Sequence, residues 1–395
     1  MSGLLRYPTL TLSIVIIIAL AVILHEQIKQ YGINKIFNFR KELKHIKRKK
    51  FNKRSTALNS TLIGRTIKKK KPVYTPDNAK HIFICGTTGS GKTVALSNYL
   101  KSGIEKGYSL VTIDGKGGTG EGSIYDIIKR SKGKRKLYTI NLTNPLKSDF
   151  YNPFKNASPT VAKDMLINLT DWSEEHYKLN TERYLQRLLQ LMVQNNIQLS
   201  FKSIIQNMSA DKFADLSSSL LQKELISKTE HLDNMQISKT SGKIADNAAA
   251  RFSLIAESEL GYIFNETGID IYQAIEENAI ILFILNPLIF PEMSPLIARL
   301  ILIDGKKALS QLFGENRNRI FFIMDEINSY ASPTLIDLIN KSRSANVTCI
   351  LATQSLSDLD YAVNSAFKEQ VIENCNNYIV MRQNSSVNAE HWANI

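Results

Sequence analysis

Only three cysteines occur in 395 residues, and Cys85, Cys349 and Cys375 lie far apart with no C-x-x-C and no paired histidine. That excludes a disulfide framework and offers no zinc-ligand spacing, so all three read as reduced core residues. Internal repeats are missing, and the one low-complexity tract is a lysine-rich belt. In that belt it is acid that is scarce: between His25 and Pro72, 16 Lys and Arg face only Glu26 and Glu42. The whole chain carries a formal +14, so everything outside the belt is neutral, which argues against a protein that coats nucleic acid with its general surface. With 43% hydrophobic residues, the chain can build one large or two ordinary cores.

From Thr9 to Leu24 the sequence TLTLSIVIIIALAVIL carries no charge. As a helix it would rise about 24 Å against a hydrocarbon core of about 30 Å, so Leu4, Leu5 and their neighbours must help it span. HEQIKQ follows, with no small-residue cleavage site, and the expectation is an uncleaved anchor rather than a signal peptide. Only Arg6 precedes the helix while the belt follows it. The positive-inside bias therefore places the bulk of the chain in the cytoplasm, where ATP is. The belt, residues 29–71, has two readings, contact with anionic lipid or with nucleic acid, and lipid is the simpler.

Beyond the belt, PVYTPDNAK reads as a linker or turn entering a domain. Short apolar runs then recur at 81–85, 109–114, 136–142, 279–286, 319–326, 347–354 and 378–383, without clean polar alternation on either face. Such runs predict buried strands of a parallel sheet, and helical patterns at Lys92–Lys106, Ser294–Phe313 and Thr334–Ser344 supply the alternation of an open α/β fold. Between 159 and 264 no strand pattern appears, while Leu185, Leu188, Leu189, Met192 and Val193 follow helical spacing; an all-α insertion is expected there. The resulting organisation is an anchor over 1–28, a basic juxtamembrane segment and linker over 29–75, a first part of the α/β core over 76–158, the insertion over 159–264 and a second part of the core over 265–395.

The run Gly86-Thr87-Thr88-Gly89-Ser90-Gly91-Lys92-Thr93 fits G-x-x-x-x-G-K-[ST], with a strand before it and a helix after. Glycines let backbone N–H groups turn inward around phosphate oxygens, and the following helix adds its positive end. Lys92 is expected at the β and γ phosphates of ATP, Thr93 at Mg²⁺. The strand RIFFIMDE presents Asp325 and Glu326 at its carboxyl end; the first would hold Mg²⁺ and the second polarise the attacking water. Gln354, at the tip of VTCILATQ, suits a sensor of the γ-phosphate, since an amide can bond both phosphate oxygen and water. Arg343 reads by default as a solvated helix-end residue, and as a trans-acting arginine finger if subunits form a ring. DGKGGTGEG at 114–122 lacks the Gly-Lys-Ser/Thr ending and reads as a mobile loop at the ligand-binding edge of the sheet.

The ordered set GTTGSGKT, TIDGKGG, NPF at 152–154, FFIMDEINSY, KSRSANV, ILATQSLSDL and VIENCNNYIVMRQNSSVNAEHWA resembles the FtsK/HerA superfamily, and within it the TraD-like coupling proteins of conjugative type IV secretion, over residues 76–395. TIDGKGG departs from that family's Asp-Pro-Lys-Gly segment at Gly115. The resemblance implies a RecA-like P-loop NTPase with a mostly parallel sheet and an all-α insertion. It implies a hexameric ATPase anchored in the bacterial inner membrane, a single pass here against the family's usual two. Such a motor receives the relaxase-bound single strand of DNA from relaxosome proteins and passes it to the secretion channel. It assigns Lys92 and Thr93 to nucleotide and Mg²⁺, Asp325 and Glu326 to the acid pair, Gln354 to the sensor and Arg343 to the trans-acting arginine. Family members continue past the segment matching AEHWANI. Two other readings stand beside the DNA motor: a secretion or pilus-assembly ATPase acting on protein and, if the chain is shortened, a scaffold that binds nucleotide without turnover.

Overall fold

The computed structural model describes residues 22, 25–27, 29, 59–78, 81–169, 172, 174–314, 318–342 and 345–395. The chain divides into two compact units, Met1–Thr56 and Ala57–Ile395. In the first unit the few described positions are helical. Among the described residues no helix is long and apolar enough to cross a membrane, and the anchor expected over 9–24 lies, Val22 apart, outside them.

The second unit opens with an antiparallel hairpin, β1 (Ser60–Arg65) and β2 (Pro72–Pro76). The residues read as a linker over 72–75 thus form a strand. The reason lies in long-range contacts: Thr61 Oγ1 donates to Asp77 Oδ1 at 2.6 Å and shares a hydrogen bond with Ser102 Oγ at 2.9 Å, and Lys106 Nζ donates to Ser60 O and pairs with the buried Asp77. The turn between the strands, Thr66 to Lys71, keeps its lysines in solvent.

Seven strands follow: β3 (His81–Cys85), β4 (Ser109–Asp114), β5 (Leu137–Asn141), β6 (Ile280–Ile284), β7 (Ile320–Asp325), β8 (Val347–Thr353) and β9 (Cys375–Val380). They form one parallel sheet in the order β5-β6-β4-β7-β8-β3-β9. Every residue of the five inner strands is buried, which is why their sequences run apolar without alternation. The edge strands β5 and β9 are only half covered. That difference displaced the expectation for β9. It begins at Cys375 rather than 378 because an edge strand tolerates Asn376 and Asn377, whose polarity hides it.

The helices of the core are α1 (Lys92–Glu105) and α2 (Ile124–Ser131). Those of the segment between β5 and β6 are α3 (Pro159–Ile167), α4 (Glu175–Gln194), α5 (Phe201–Gln206), α6 (Ala210–Gln222), α7 (Lys228–Ala256) and α8 (Ile271–Glu276), the last leading back into the sheet. After β6 come α9 (Met293–Gln311), α10 (Pro333–Ser342), α11 (Leu356–Ala362), α12 (Ser365–Asn374) and α13 (Ser386–Asn394).

Local chemistry starts the inserted helices. Ser227 and Glu230 form a reciprocal capping box at α7, and Ser158, Ser200 and Ser209 cap α3, α5 and α6. On α4 the face carrying Leu185, Leu188, Leu189 and Met192 is buried, whereas Val193 is exposed; at 100° per residue it falls on the margin of the stripe. Phe201 meets Phe154, Phe252 and Phe264, which links the insertion's own core to the NPF segment.

Where the insertion joins the sheet there is a dry polar staple. Lys307 Nζ on α9 contacts Asp270 Oδ2 and Asp304 Oδ1, each at 2.9 Å, and donates to Pro153 O at 2.7 Å. Tyr151 OH and the Ile271 amide donate to Asp304 Oδ2 at 2.8 and 3.0 Å. This one network holds residues from both ends of the insertion to a core helix. Burial still pushes the Asp304 carboxyl above its ordinary range, although Lys307 opposes that shift.

Candidate functional site

The site is built at the carboxyl ends of β3, β7 and β8, with β4 and β9 beside them. After β3 the chain turns through residues 86–91 into α1. The helix begins on Gly91, whose backbone is left-handed at φ 109°, with no side-chain cap and no acid in its first turn. Thr87 N donates to Arg382 O and Ser90 N to Thr87 O; among the described residues the amides of Gly89, Gly91, Lys92 and Thr93 have no such acceptor. Such unpaired N–H groups and the positive helix end are what a phosphate chain requires. Thr93 sits half-buried in the first turn, and its hydroxyl makes no hydrogen bond among the described residues.

Lys92 is buried and folds back over the loop, with Nζ 2.7 Å from Gly86 O and 3.8 Å from Glu326 Oε1. Burial lowers its ammonium pKa, and Glu326 partly restores it. The acid pair stands opposite. Asp325 is wholly buried at the end of β7, its backbone oxygen taking a bond from Tyr330 OH at 3.0 Å. Glu326 follows in a left-handed conformation, φ 52° and ψ 51°, which a side chain of its size adopts only under constraint. Its two buried carboxylate oxygens lack an aligned hydrogen bond among the described residues; Oε1 is ion-paired to Lys116 at 3.2 Å. A strained, half-satisfied carboxylate beside a phosphate loop is poised for a ligand or water.

Gln354 lies half-buried just beyond β8 and accepts from Thr88 Oγ1 at 3.0 Å, so it touches the tip of the loop. The structure thus brings together residues 86–93, Asp325, Glu326 and Gln354 from three separate strands. Arg343 lies outside the described residues. All three cysteines are free and buried, and burial pushes the Cys85 thiol up to about 11.

Three contributors were given no role from the sequence. Arg382, just past β9, reaches Thr87 Oγ1 and Thr88 O at 3.4 Å through its guanidinium. A polar residue after a weak edge strand gives no pattern to read. Asp114 is directly across from Asp325 in the register of β4 and β7, and burial pushes its carboxyl up to about 7, with Asp325 adding to the shift. Lys116, which falls in the loop at 114–122 and in the TIDGKGG segment of the resemblance but was given no role there, lies 2.9 Å from Asp325 Oδ2. The one available signal was the Asp-x-Lys spacing at a strand end.

Among the described residues there is no cluster of three His, Cys, Asp or Glu able to hold a metal ion alone. Mg²⁺ at phosphate sites keeps most of its water and takes one or two protein oxygens, so a buried carboxylate at Asp325 and an unbonded hydroxyl at Thr93 fit it.

The parallel sheet, the glycine loop on a helix end and the acid pair on a neighbouring strand define a P-loop NTPase of RecA-like fold. The sequence model described as "Type IV secretion-system coupling protein DNA-binding domain" matches residues 69–395, and the chain belongs to that family. Solved structures with the same fold include the bacterial conjugative coupling protein TrwBdeltaN70 in its unbound monoclinic form, at 16% identity and TM-score 0.54 over 82% of this chain and 73% of that one. The plasmid coupling protein TrwB with an ATP analogue matches at 15% and 0.56 over 82% and 74%. VirB4 of Thermoanaerobacter pseudethanolicus matches at 14% and 0.55 over 86% and 88%. An uncharacterized protein of Mycoplasma pneumoniae is 30% identical over 99 residues, 25% of this chain and 66% of that protein, just under two thirds of its length.

Proposed function

We propose that this chain is a membrane-anchored, ATP-hydrolysing motor that moves DNA toward a type IV secretion channel in conjugative transfer. The observation that carries the reading is the convergence of Lys92 and Glu326 on one spot, 3.8 Å apart, in a chain of the coupling-protein family. The solved TrwB structures with an ATP analogue and with ADP and Mg²⁺ support nucleotide and metal as ligands of the same fold.

In this reading the loop amides of 86–93 wrap the β and γ phosphates, and Lys92 leaves Gly86 O to meet them. Thr93 and Asp325 would hold Mg²⁺, which neutralises phosphate charge when bound. Glu326 accepts a proton from the attacking water through Oε2, which takes no aligned hydrogen bond among the described residues. Gln354, already on the loop tip, is placed to register the γ-phosphate and pass its loss to β8 and α11. In a homo-hexamer, Arg343 would complete a neighbour's site. Residues 9–24 anchor the chain in the bacterial inner membrane, belt 29–71 lies on anionic lipid, and the NTPase unit works in the cytoplasm on relaxase-bound single-stranded DNA from relaxosome proteins.

The test is ATP hydrolysis by residues 57–395, the unit that keeps the β1-β2 hairpin, with and without single- and double-stranded DNA. Hydrolysis stimulated by DNA and abolished by Lys92→Ala is expected. Equal rates in wild type and Lys92→Ala would sink the site; turnover indifferent to DNA favours a motor acting on protein, and binding without turnover a scaffold. Mixing Arg343→Ala with Lys92→Ala subunits should recover activity if the arginine works across subunits.

A further inference from the structure

Deepening that reading of the site, on which it rests, we propose that Lys116 is a built-in competitor of the metal ion: its ammonium occupies the Asp325–Glu326 pair and must transfer to the γ-phosphate when the metal–nucleotide complex enters.

The geometry around Lys116 is too constrained for a chance surface contact. Its Nζ sits 2.9 Å from Asp325 Oδ2 and 3.2 Å from Glu326 Oε1, bridging both members of the acid pair. Its backbone amide donates to Asp114 Oδ1 at 2.9 Å. The flanking glycines press the loop against its neighbours. A Cβ on Gly115 would come within 2.8 Å of Asp325 O and 3.0 Å of Glu326 Cβ; one on Gly117, where φ is +75°, would meet Leu285 O at 2.5 Å. Thr143 Oγ1 holds Gly117 O from the far side at 3.2 Å. The backbone is therefore fixed while the side chain, 42% exposed, can leave. No other cation touches Asp325 among the described residues; Lys92 reaches only Glu326, at 3.8 Å.

Charge balance sets the order of exchange. Lys92 and Lys116 together balance Asp325 and Glu326. A divalent ion arriving alone meets the Lys116 ammonium already on Asp325 Oδ2, and at contact distance the two cations repel, so the ion is held weakly until the lysine leaves. A metal–nucleotide complex brings net negative charge, so the displaced ammonium gains a phosphate partner within reach. The lysine thus opposes bare metal and favours metal with nucleotide. It makes the acid pair accept the ion only as part of the substrate complex.

Removing the charge should move the two affinities in opposite directions, which a purely structural role cannot do. The experiment uses the full chain in detergent, with Mn²⁺ binding followed by electron paramagnetic resonance in the absence of nucleotide, and a fluorescent ATP analogue titrated with Mg²⁺ present. Lys116→Met and Lys116→Gln should each bind Mn²⁺ about ten-fold more tightly and the Mg²⁺ complex of the analogue about ten-fold more weakly, with Lys116→Arg close to wild type. Asp325→Asn in the Lys116→Met background should abolish the gained Mn²⁺ binding. Loss of both affinities together in a folded variant, or no change in either, overturns the proposal. A tightened Mn²⁺ affinity in a protein without ATP turnover would leave it standing and count against the motor. DNA-stimulated turnover with unchanged Mn²⁺ affinity would do the reverse.

Discussion

Two places in this molecule set one lysine between two carboxylates. At the root of the insertion Lys307 lies between Asp270 and Asp304; at the end of β7, Lys116 lies between Asp325 and Glu326. The shortest lysine–carboxylate distance is 2.9 Å in both. What separates them is water and backbone. The Lys307 side chain is 3% exposed and its partners take further bonds from Tyr151, Ile271, Asn156 and Gln273, whereas the Lys116 side chain is 42% exposed and Glu326 takes no aligned bond among the described residues. The same charges make a fastening where nothing can replace them and an exchangeable contact where a ligand can. Substitutions should therefore divide: those at the second trio cost turnover and little stability, those at the first cost stability.

Glu326→Gln gives the largest effect. It removes the group proposed to accept the proton from water and keeps the shape of the side chain; the expected loss in ATP turnover is about 10² to 10⁴-fold. Chemical denaturation should show stability unchanged or slightly raised, because a neutral amide is cheaper to bury in the strained position. A stability loss matching the activity loss would erase the contrast between the two trios.

Lys307→Met tests the other half. It leaves Asp270 and Asp304, both 0% exposed, without their cation, and breaking such a pair costs about 3 to 5 kcal/mol. Urea melts should show the loss at pH 8 and a smaller one at pH 5, since the Asp304 carboxyl is already raised by burial and takes up a proton more readily once the ammonium is gone. A loss independent of pH would mean that Lys307 matters only for packing.

Asp114 stands between the extremes, buried beside Asp325 and braced by the Lys116 amide. Its folded pKa is about 7 against an ordinary 3.8, mainly through burial. In that window the folded state keeps a proton that the unfolded state has released, so stability falls as pH rises from about 4 to about 7. Asp114→Asn should remove this slope and be more stable than wild type at pH 8 by roughly 1 to 3 kcal/mol, read from urea midpoints at pH 5 and 8 in protein without nucleotide. An unaltered slope would assign it to other groups.

Legibility in the sequence followed the same division. The phosphate loop, the acid pair and Gln354 stand where apolar runs end, and a run such as HIFIC or RIFFIMD is readable because both faces of an inner strand are buried. The insertion was legible as helical from Leu185, Leu188, Leu189 and Met192, which need only local spacing. What stayed hidden depends on contacts distant in sequence. Lys307 is one more lysine on a helix until Asp270 and Pro153 are brought to it. The hairpin looked like a linker because Thr61 finds its partners at Asp77 and Ser102, and Arg382 follows a strand whose Asn376 and Asn377 disguise it. Charge patterning misled at one point: the lysines of residues 68–71 sit on a folded turn rather than in the connecting segment read from their composition.

Arg382 gives the smallest effect and the finest test of where exchangeable contacts stop. Its guanidinium is exposed and meets Thr87 Oγ1 and Thr88 O only at 3.4 Å, near the outer limit for such bonds, so little folding energy rests on it. A nucleotide on the loop would put negative charge within its reach, and an exposed cation of this kind contributes about 0.3 to 1 kcal/mol. Arg382→Ala should therefore raise the KM for ATP about two- to five-fold, leave kcat near wild type and move the urea midpoint little. The KM effect should fade in high salt, because an exposed charge is screened within about 8 Å at physiological ionic strength. A fall in kcat with unchanged KM would mean instead that Arg382 acts on the transition state, and would extend the functional half of the site from β7 to the sheet edge at β9.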